Sequence, residues 1–147
     1  MAFNLKQYNL DPRSQLRRVL TFSLNGDAVL PPHQLAELPI PEDPDFKQDI
    51  AVAATGEATF ARNCMACHGA AAIATGHAPD LRRSPILLAP ALFTSIVRNG
   101  VLVPNGMPAF GEFTDAQLSA VRQYLRTQAA RLRSTENGTA AQTLSAQ

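Results

Sequence analysis

Apolar residues recur at helical spacing in the middle of the chain, and their pattern predicts three helices. The first is rich in alanine and spans about residues 50–63, with Gly56 and Phe60 four residues apart on one face. The second is a short helix over residues 91–99. Gly100 follows it at the position where glycine commonly ends a helix.

The third predicted helix begins at Thr114, whose hydroxyl can cap the first turn while Gln117 completes a capping box. Its apolar face consists of Leu118, Val121, Tyr124 and Leu125. Glycine and proline interrupt the helical pattern in residues 69–90 and 101–113, which are therefore predicted to be loops. Together these elements predict a small all-α domain over residues 50–130.

The segments on either side of this domain differ from it in character. In residues 1–30, two β-rich runs meet at Asn25-Gly26, a strong hairpin signal. Because an isolated hairpin is only marginally stable in water, we expect these strands to belong to a sheet outside this chain. Residues 31–49 contain five prolines and mainly acidic charges, and are predicted to be an extended, semi-rigid linker. Residues 131–147 are polar and are predicted to be a disordered tail.

Composition and charge narrow the range of functions. With 13 basic and 12 acidic residues the net charge is +1, which argues against nucleic-acid binding through phosphate contacts. The chain contains no apolar run of about 18 residues, so no membrane span is predicted, and its N-terminus lacks the apolar region of a secretory signal. Residues 57–133 contain eight arginines against four acidic residues, a basic surface that could steer an acidic partner or could simply be solvated.

The segment Cys64-Met65-Ala66-Cys67-His68 is a C-x-x-C-H motif, the attachment sequence of c-type haem. Two cysteines three residues apart lie on one side of a helical turn, so both thiols can add to the haem vinyl groups while the next residue reaches the iron. The sequence therefore predicts one covalently attached haem c, bonded through Cys64 and Cys67, with His68 as an axial ligand.

Other uses of a cysteine pair are less well supported by the sequence. A zinc site needs about four ligands, and beyond the motif only His33, His77 and carboxylates are available. A thioredoxin-like redox pair would need a βαβ context, which residues 50–130 do not predict. A plain disulfide between the two cysteines stays open for a chain without haem.

Met107 is the predicted second axial ligand, and it lies in the loop Asn105-Gly106-Met107-Pro108. The neighbouring glycine lets the backbone approach the haem closely, and the proline stiffens the loop. The alternative is that Met107 fills the core, a use more typical of methionines on helix faces. Ligation by His68 and Met107 raises the reduction potential and leaves no open iron position, so it favours electron transfer over oxygen or peroxide chemistry.

Three further residues are predicted to support the site. A ligating imidazole usually donates its second N–H to a carbonyl, and Pro79, eleven residues after His68, can supply that carbonyl. The alternative is an ordinary turn proline. Arg82 or Arg83 can pair with a haem propionate, because a guanidinium matches the geometry of a carboxylate. The alternative for each is a solvated arginine.

These residues together resemble the class I cytochromes c, in which an N-terminal helix ends in the attachment motif and crosses a C-terminal helix through a Gly/aromatic contact. The resemblance implies that Gly56 and Phe60 meet Val121 and Tyr124. A closer resemblance, over about residues 15–130, is to the C-terminal cytochrome domain of quinohaemoprotein alcohol dehydrogenases. It rests on the segments Asn63–Gly69, Pro79–Ser84, Asn105–Phe110 and Arg18–Asp27.

In that family a propeller binds pyrroloquinoline quinone (PQQ) and oxidises an alcohol, and the cytochrome domain passes the electrons to an external acceptor. The resemblance implies a monohaem electron-transfer domain that is not itself an enzyme, with a PQQ-type dehydrogenase as donor. It also implies a periplasmic location, although this chain shows no secretory signal. Because the sequence contains no propeller, two alternatives stay open: a cytochrome subunit of such an enzyme, and a truncated, haem-free fragment.

Overall fold

The structure, a computed structural model, describes residues 23–29, 38–74 and 78–145, with side chains as far as residue 138. The chain divides into two units, residues 1–38 and 39–147. In the described part of the first unit, the Gly26 N–H donates to the Ser23 carbonyl at 3.2 Å and forms a turn at the predicted position. Most of the strand residues predicted around this turn lie outside the described residues.

In the described part of the second unit, four α-helices form: α1 (Ile50–Asn63), α2 (Met65–His68), α3 (Pro90–Val97) and α4 (Asp115–Ser145). Short 3-10 turns occur in the loops, at Ala70–Ala72, Leu81–Arg83, Pro85–Leu88 and Val103–Asn105. No strand occurs in the described residues, and the all-α prediction is confirmed. The predicted helices over residues 50–63 and 91–99 are also confirmed, although α3 begins one residue earlier and ends two residues earlier than predicted.

Side-chain caps fix the beginnings of the two long helices. The Val52 N–H donates to the Asp49 carboxylate at 3.0 Å and caps α1. At α4, the Gln117 N–H donates to Thr114 Oγ1 at 3.2 Å, and the Thr114 N–H donates to Gln117 Oε1 at 2.9 Å. These contacts satisfy backbone N–H groups that have no partner within the helix. The predicted capping box is therefore confirmed.

Helices α1 and α4 cross with their backbones in contact. A Cβ placed on Gly56 would lie 1.9 Å from the Ala120 carbonyl oxygen, so this approach requires glycine. One turn further along, the rings of Phe60 and Tyr124 pack with their centroids 5.3 Å apart and their planes tilted by 46°. The Gly/aromatic contact is confirmed, with Ala120 rather than Val121 opposite the glycine.

The core lies between α1, α3, α4 and the loop that precedes α3. Its buried members are Phe60, Ala72, Leu87, Phe93, Val97, Phe113, Leu118, Val121, Tyr124, Leu125 and Ala129. Cys64 and Met107 are partly buried and pack against this cluster. The core therefore extends to the C-x-x-C-H segment on one side and to the methionine loop on the other.

Residues 39–49 pack along α4, and we call this segment the strap. The Asp43 carboxylate accepts two hydrogen bonds from Arg126, each 2.7 Å long. The Arg126 guanidinium also lies 4.7 Å from the centroid of the Phe46 ring, in a cation–π contact. The sequence predicts a spacer here because its prolines exclude regular structure. In the structure this segment instead packs on α4, because prolines exclude regular backbone structure but leave neighbouring side chains free to bind a helix.

The strap runs antiparallel to α4. Its beginning lies near the later part of the helix, where Arg133 donates to the Pro41 carbonyl. Its end lies near the earlier part, where the Gln123 amide donates to the Lys47 carbonyl at 2.8 Å. Ile40, at the beginning of the strap, packs against the core. The folded unit thus begins before Ile50, the first residue of the predicted domain.

Helix α4 continues to Ser145, through the segment predicted to be a disordered tail. Glu136, in this segment, forms an ion pair with Arg83 of the loop after the C-x-x-C-H motif. Arg133 reaches the strap. These contacts come from residues distant in sequence, so the polar composition of the tail gives no sign of them, and the prediction of disorder is wrong for the described backbone.

The predicted basic surface is largely neutralised within the second unit. Residues 39–138 contain nine basic and nine acidic residues, because the strap contributes acidic charge. Among the described residues, four of the eight arginines considered in the prediction form ion pairs: Arg82 with Asp80, Arg83 with Glu136, Arg98 with Asp115, and Arg126 with Asp43. These ion pairs, whether shielded or exposed, reduce the charge available to steer a partner.

Candidate functional site

A cavity of about 390 Å³ lies in the second unit, a volume typical of cofactor sites. Its apolar wall is formed by residues of the core and their neighbours, among them Phe60, Leu81, Ile86, Leu87, Phe93, Ile96, Val97, Leu102, Val121 and Leu125. Cys64, Cys67, His68, Pro79 and Met107 also line it. Five of the seven predicted site residues therefore meet around one cavity.

The C-x-x-C-H segment reaches this cavity through a break between two helices. Cys64 ends α1, where its N–H donates to the Phe60 carbonyl at 2.8 Å. Its own carbonyl accepts hydrogen bonds from the N–H groups of Cys67, at 3.2 Å, and His68, at 3.0 Å. This single turn carries both sulfurs and the imidazole to the same cavity, as the spacing predicts.

The environment of Cys64 opposes the thiolate form. Burial, with a smaller contribution from the neighbouring Cys67, raises the pKa of Cys64 to about 11. A zinc site would require thiolates, and in the described residues no group of three or more His, Cys, Asp or Glu side chains is arranged to hold a metal ion. A neutral thioether, the product of addition to a vinyl group, suits this environment better.

The His68 side chain is half-buried, and burial lowers its pKa, so the neutral imidazole that binds metals is favoured. The Pro79 carbonyl raises the pKa of the imidazole, but this effect is smaller than that of burial. Nδ1 is buried, yet within the described part of the chain it has no partner at hydrogen-bonding distance and angle. The predicted pairing of His68 with Pro79 thus brings the two groups near each other, while the hydrogen bond itself stays a prediction.

Met107 reaches the cavity from the loop between α3 and α4. Its N–H donates to the Leu102 carbonyl at 3.2 Å, and Phe110 further along donates to the Val97 carbonyl at 2.8 Å, which ties the loop to α3. Gly106 has a φ of +91°, a left-handed conformation that favours glycine. The loop geometry therefore places a half-buried thioether on the cavity wall.

The two arginines predicted to bind a propionate do not line the cavity. Arg82 is held by Asp80, with an Nη2–Oδ2 distance of 2.5 Å, and Arg83 pairs with Glu136. A propionate contact stays a prediction for both.

Three polar residues that the sequence reasoning missed do line the cavity: Asn63, Ser84 and Asn105. Asn63 adjoins the C-x-x-C-H motif and Asn105 lies in the methionine loop. Their closeness in sequence to these two segments could have identified them. The alternatives His33 and His77 lie outside the described residues.

The cavity fits a haem by the chemistry of its donors. Two cysteines lie one helical turn apart, beside an imidazole whose buried Nδ1 has no partner in the described residues, and a methionine from a distant loop lines the same cavity. The fold and this site together identify the second unit as a c-type cytochrome domain.

Comparison with known proteins gives the family. Residues 51–125 match the family described as "Cytochrome C oxidase, cbb3-type, subunit III", and the chain belongs to it. The domain accordingly binds haem c covalently and transfers electrons. Membership favours a haem-binding domain over the haem-free alternative.

Several curated proteins are similar to this chain over 74% of its length. Lupanine 17-hydroxylase [cytochrome c] of Pseudomonas sp is 39% identical over 110 residues. Quinohemoprotein alcohol dehydrogenase ADH-IIG of Pseudomonas putida is 36% identical over 113 residues, and the dehydrogenase subunit of alcohol dehydrogenase (quinone) from Gluconobacter oxydans is 34% identical over 110 residues. The chain spans only about 15% of the length of these relatives. In the described residues, none of the helices is long and apolar enough to cross a membrane.

Proposed function

We propose that this chain is a monohaem cytochrome that accepts single electrons from a PQQ-type dehydrogenase and passes them to a further redox protein. Cys64 and Cys67 attach the haem, and His68 and Met107 are its axial ligands. The observation that carries the proposal is that Met107, almost forty residues after His68, lines the same cavity as the C-x-x-C-H turn. The relatives named as quinohemoprotein dehydrogenases support the choice of donor.

Each residue of the site has a distinct task in this proposal. When bound, haem supplies a one-electron redox centre. The lowered pKa of His68 keeps its imidazole neutral and able to donate a lone pair. The Met107 thioether is a soft ligand that favours the ferrous state and raises the reduction potential. Both sulfur links hold the group in place without a deep pocket.

The walls of the cavity complete this arrangement. Among the described residues that line it there is no Asp, Glu, Lys or Arg. An apolar surround excludes water and disfavours the added positive charge of the oxidised iron, which again raises the potential. The domain itself carries out no oxidation of substrate in this proposal, and its location is the periplasm, where the proposed donor class operates.

Mass spectrometry and spectroscopy of the protein purified from a host with c-type maturation test the proposal. We expect one haem mass that survives denaturation and is lost in a Cys64→Ser, Cys67→Ser double variant. We also expect the ferric methionine–iron charge-transfer band to vanish in Met107→Ala. The matched control is Met65→Ala, since Met65 is exposed within the motif and should keep the band. A band that survives in Met107→Ala would overturn the ligand assignment.

The donor is tested separately. A purified PQQ-dependent alcohol dehydrogenase is mixed with its alcohol and the oxidised cytochrome, and haem reduction is followed by absorbance. We expect reduction that depends on the alcohol. Reduction by a chemical reductant but not by the dehydrogenase would contradict the proposed donor while leaving the electron-transfer role intact.

A further inference from the structure

We propose that Asp80 is a positioning residue for the axial histidine: it locks the turn after Pro79 and so holds the Pro79 carbonyl toward the His68 imidazole. The inference deepens the proposed function, because it rests on His68 being an iron ligand. The sequence-based predictions assign no role to Asp80, and it does not line the cavity.

The first step of the argument is the set of bonds that Asp80 makes. Its Oδ1 accepts hydrogen bonds from the Arg82 backbone N–H, at 3.0 Å, and from Arg82 Nε, at 2.9 Å. Its Oδ2 accepts from Arg82 Nη2 at 2.5 Å. Both side chains are largely shielded, at 20% and 13% exposure, so this charge-assisted fork is a strong local restraint. It caps the turn Leu81–Arg83 and fixes its beginning.

The second step concerns the covalent geometry between Pro79 and Asp80. The Pro79 carbonyl belongs to the peptide unit that joins Pro79 to Asp80, and a peptide unit is planar. The direction of the carbonyl is therefore set by ψ of Pro79 and φ of Asp80, and the turn that Asp80 caps fixes the second of these angles. On the other side of the carbonyl, the proline ring already fixes φ of Pro79. With the Asp80 turn locked, little rotational freedom is left to this one oxygen.

The third step is the need of His68 for an acceptor. Its Nδ1 is buried without a hydrogen-bond partner in the described residues, and Pro79 lines the same cavity as the imidazole, so the Pro79 carbonyl is the acceptor we assign to it. A ligating imidazole that donates its second N–H to a carbonyl becomes a more basic ligand and stabilises the ferric state. Loosening the Asp80 turn should weaken that donation and raise the reduction potential.

The test uses the haem-loaded protein and the variants Asp80→Ala and Asp80→Asn. The readouts are the exchange rate of the His68 Nδ1 proton, measured by NMR in the ferrous state, and the midpoint potential. We expect exchange in Asp80→Ala to be roughly tenfold faster, the factor for losing one neutral hydrogen bond, together with a higher potential. Asp80→Asn keeps an oxygen that can accept from the Arg82 N–H, so its exchange should be accelerated less.

A matched control distinguishes the loss of the Asp80 hydrogen bonds from the loss of one negative charge. Glu112→Gln removes one exposed carboxylate from the methionine loop and should leave the exchange rate unchanged. If Asp80→Ala does not fold, Arg82→Lys replaces it, since lysine keeps the charge but loses the fork, and it should also accelerate exchange. Unchanged exchange in both Asp80→Ala and Arg82→Lys would overturn the proposal, as would equal potential shifts in the two Asp80 variants with exchange unchanged. A wild-type protein without a methionine–iron band would instead refute the proposed function.

Discussion

Gly56 of α1 and Ala120 of α4 touch backbone to backbone, with room for no side chain between them. The helix that ends at the haem-attachment motif is thereby fixed against the longest helix of the domain. The contact positions Cys64, two turns further along α1, relative to Val121 and Leu125, which line the cavity from α4.

Gly56→Ala should destabilise the protein, since the added Cβ would meet the Ala120 carbonyl at 1.9 Å. Overpacking of this kind costs about 1–3 kcal/mol, and the better helix propensity of alanine offsets about 1 kcal/mol of it at most. Chemical denaturation gives the free energy of unfolding. The control is Gly138→Ala in α4, where a Cβ meets nothing within 4 Å and the substitution should be neutral or stabilising. Equal effects of the two substitutions would contradict the close crossing.

Asp43→Asn should lower the free energy of unfolding by roughly 1–2 kcal/mol at neutral pH, because it removes a shielded, two-fold hydrogen bond to Arg126. The Arg126 hydrogen bonds hold the pKa of Asp43 below its ordinary value of 3.8. A lowered pKa in the folded state means that the stabilisation is fully present above the unfolded pKa. It is lost as the pH falls through the lower, folded value.

The difference between wild type and Asp43→Asn should therefore be constant from pH 7 to about pH 5 and shrink toward zero in stronger acid. Urea denaturation at a series of pH values measures it. Glu42→Gln, at the exposed neighbouring position of the strap, is the control and should change little at any pH. A difference that grew on acidification would have the wrong sign for this ion pair.

Gly106→Ala should weaken the methionine ligation although nothing lies within 4 Å of the added Cβ. The reason is the backbone, since a φ of +91° costs a residue with a side chain about 1–2 kcal/mol. Denaturant or alkaline titration of the ferric protein, followed at the methionine–iron band, measures the loss. Gly111→Ala in the same loop has equal space and no left-handed φ, so it should leave the band as in wild type.

Cys64 should react slowly with iodoacetamide in the protein before haem attachment, because alkylation requires the thiolate. With a pKa of about 11 against an ordinary 9.0, its rate at pH 8 should rise by roughly a hundredfold on unfolding. A Cys67→Ser background isolates the site, and mass spectrometry follows the reaction in native buffer and in urea. The same rate in both would show that burial does not suppress the thiolate.

The parts of the fold that are encoded locally could be predicted from the sequence. The capping box of Thr114 and Gln117, the glycine and phenylalanine of α1, and the C-x-x-C-H turn each depend on residues three or four positions apart. The meeting of four of the site residues at one cavity was predictable to the same extent: the cysteines and His68 belong to one motif, and Met107 is distinguished by its Gly/Pro loop.

The rest depends on contacts between distant residues. Nothing near Asp43 in the sequence shows that Arg126, 83 residues later, binds it. The same holds for Glu136 and Arg83, which support a helix where polar composition predicts disorder. Arg82 is different: its partner Asp80 is only two residues away, but the sequence does not distinguish an exposed arginine from one in an ion pair, and the fold shows the ion pair.

The strap also sets the order in which contacts of the domain break under a pulling force. A force drawing Pro39 away from α4 would first act on the packing of Ile40 against the core and on the contact between Pro41 and Arg133. It would reach the ion pair of Asp43 with Arg126 next, and the hydrogen bond from Gln123 to Lys47 last. Only then would tension arrive at α1, whose far end carries the haem cysteines. The contacts between the strap and α4 therefore break before the haem-attachment turn comes under load.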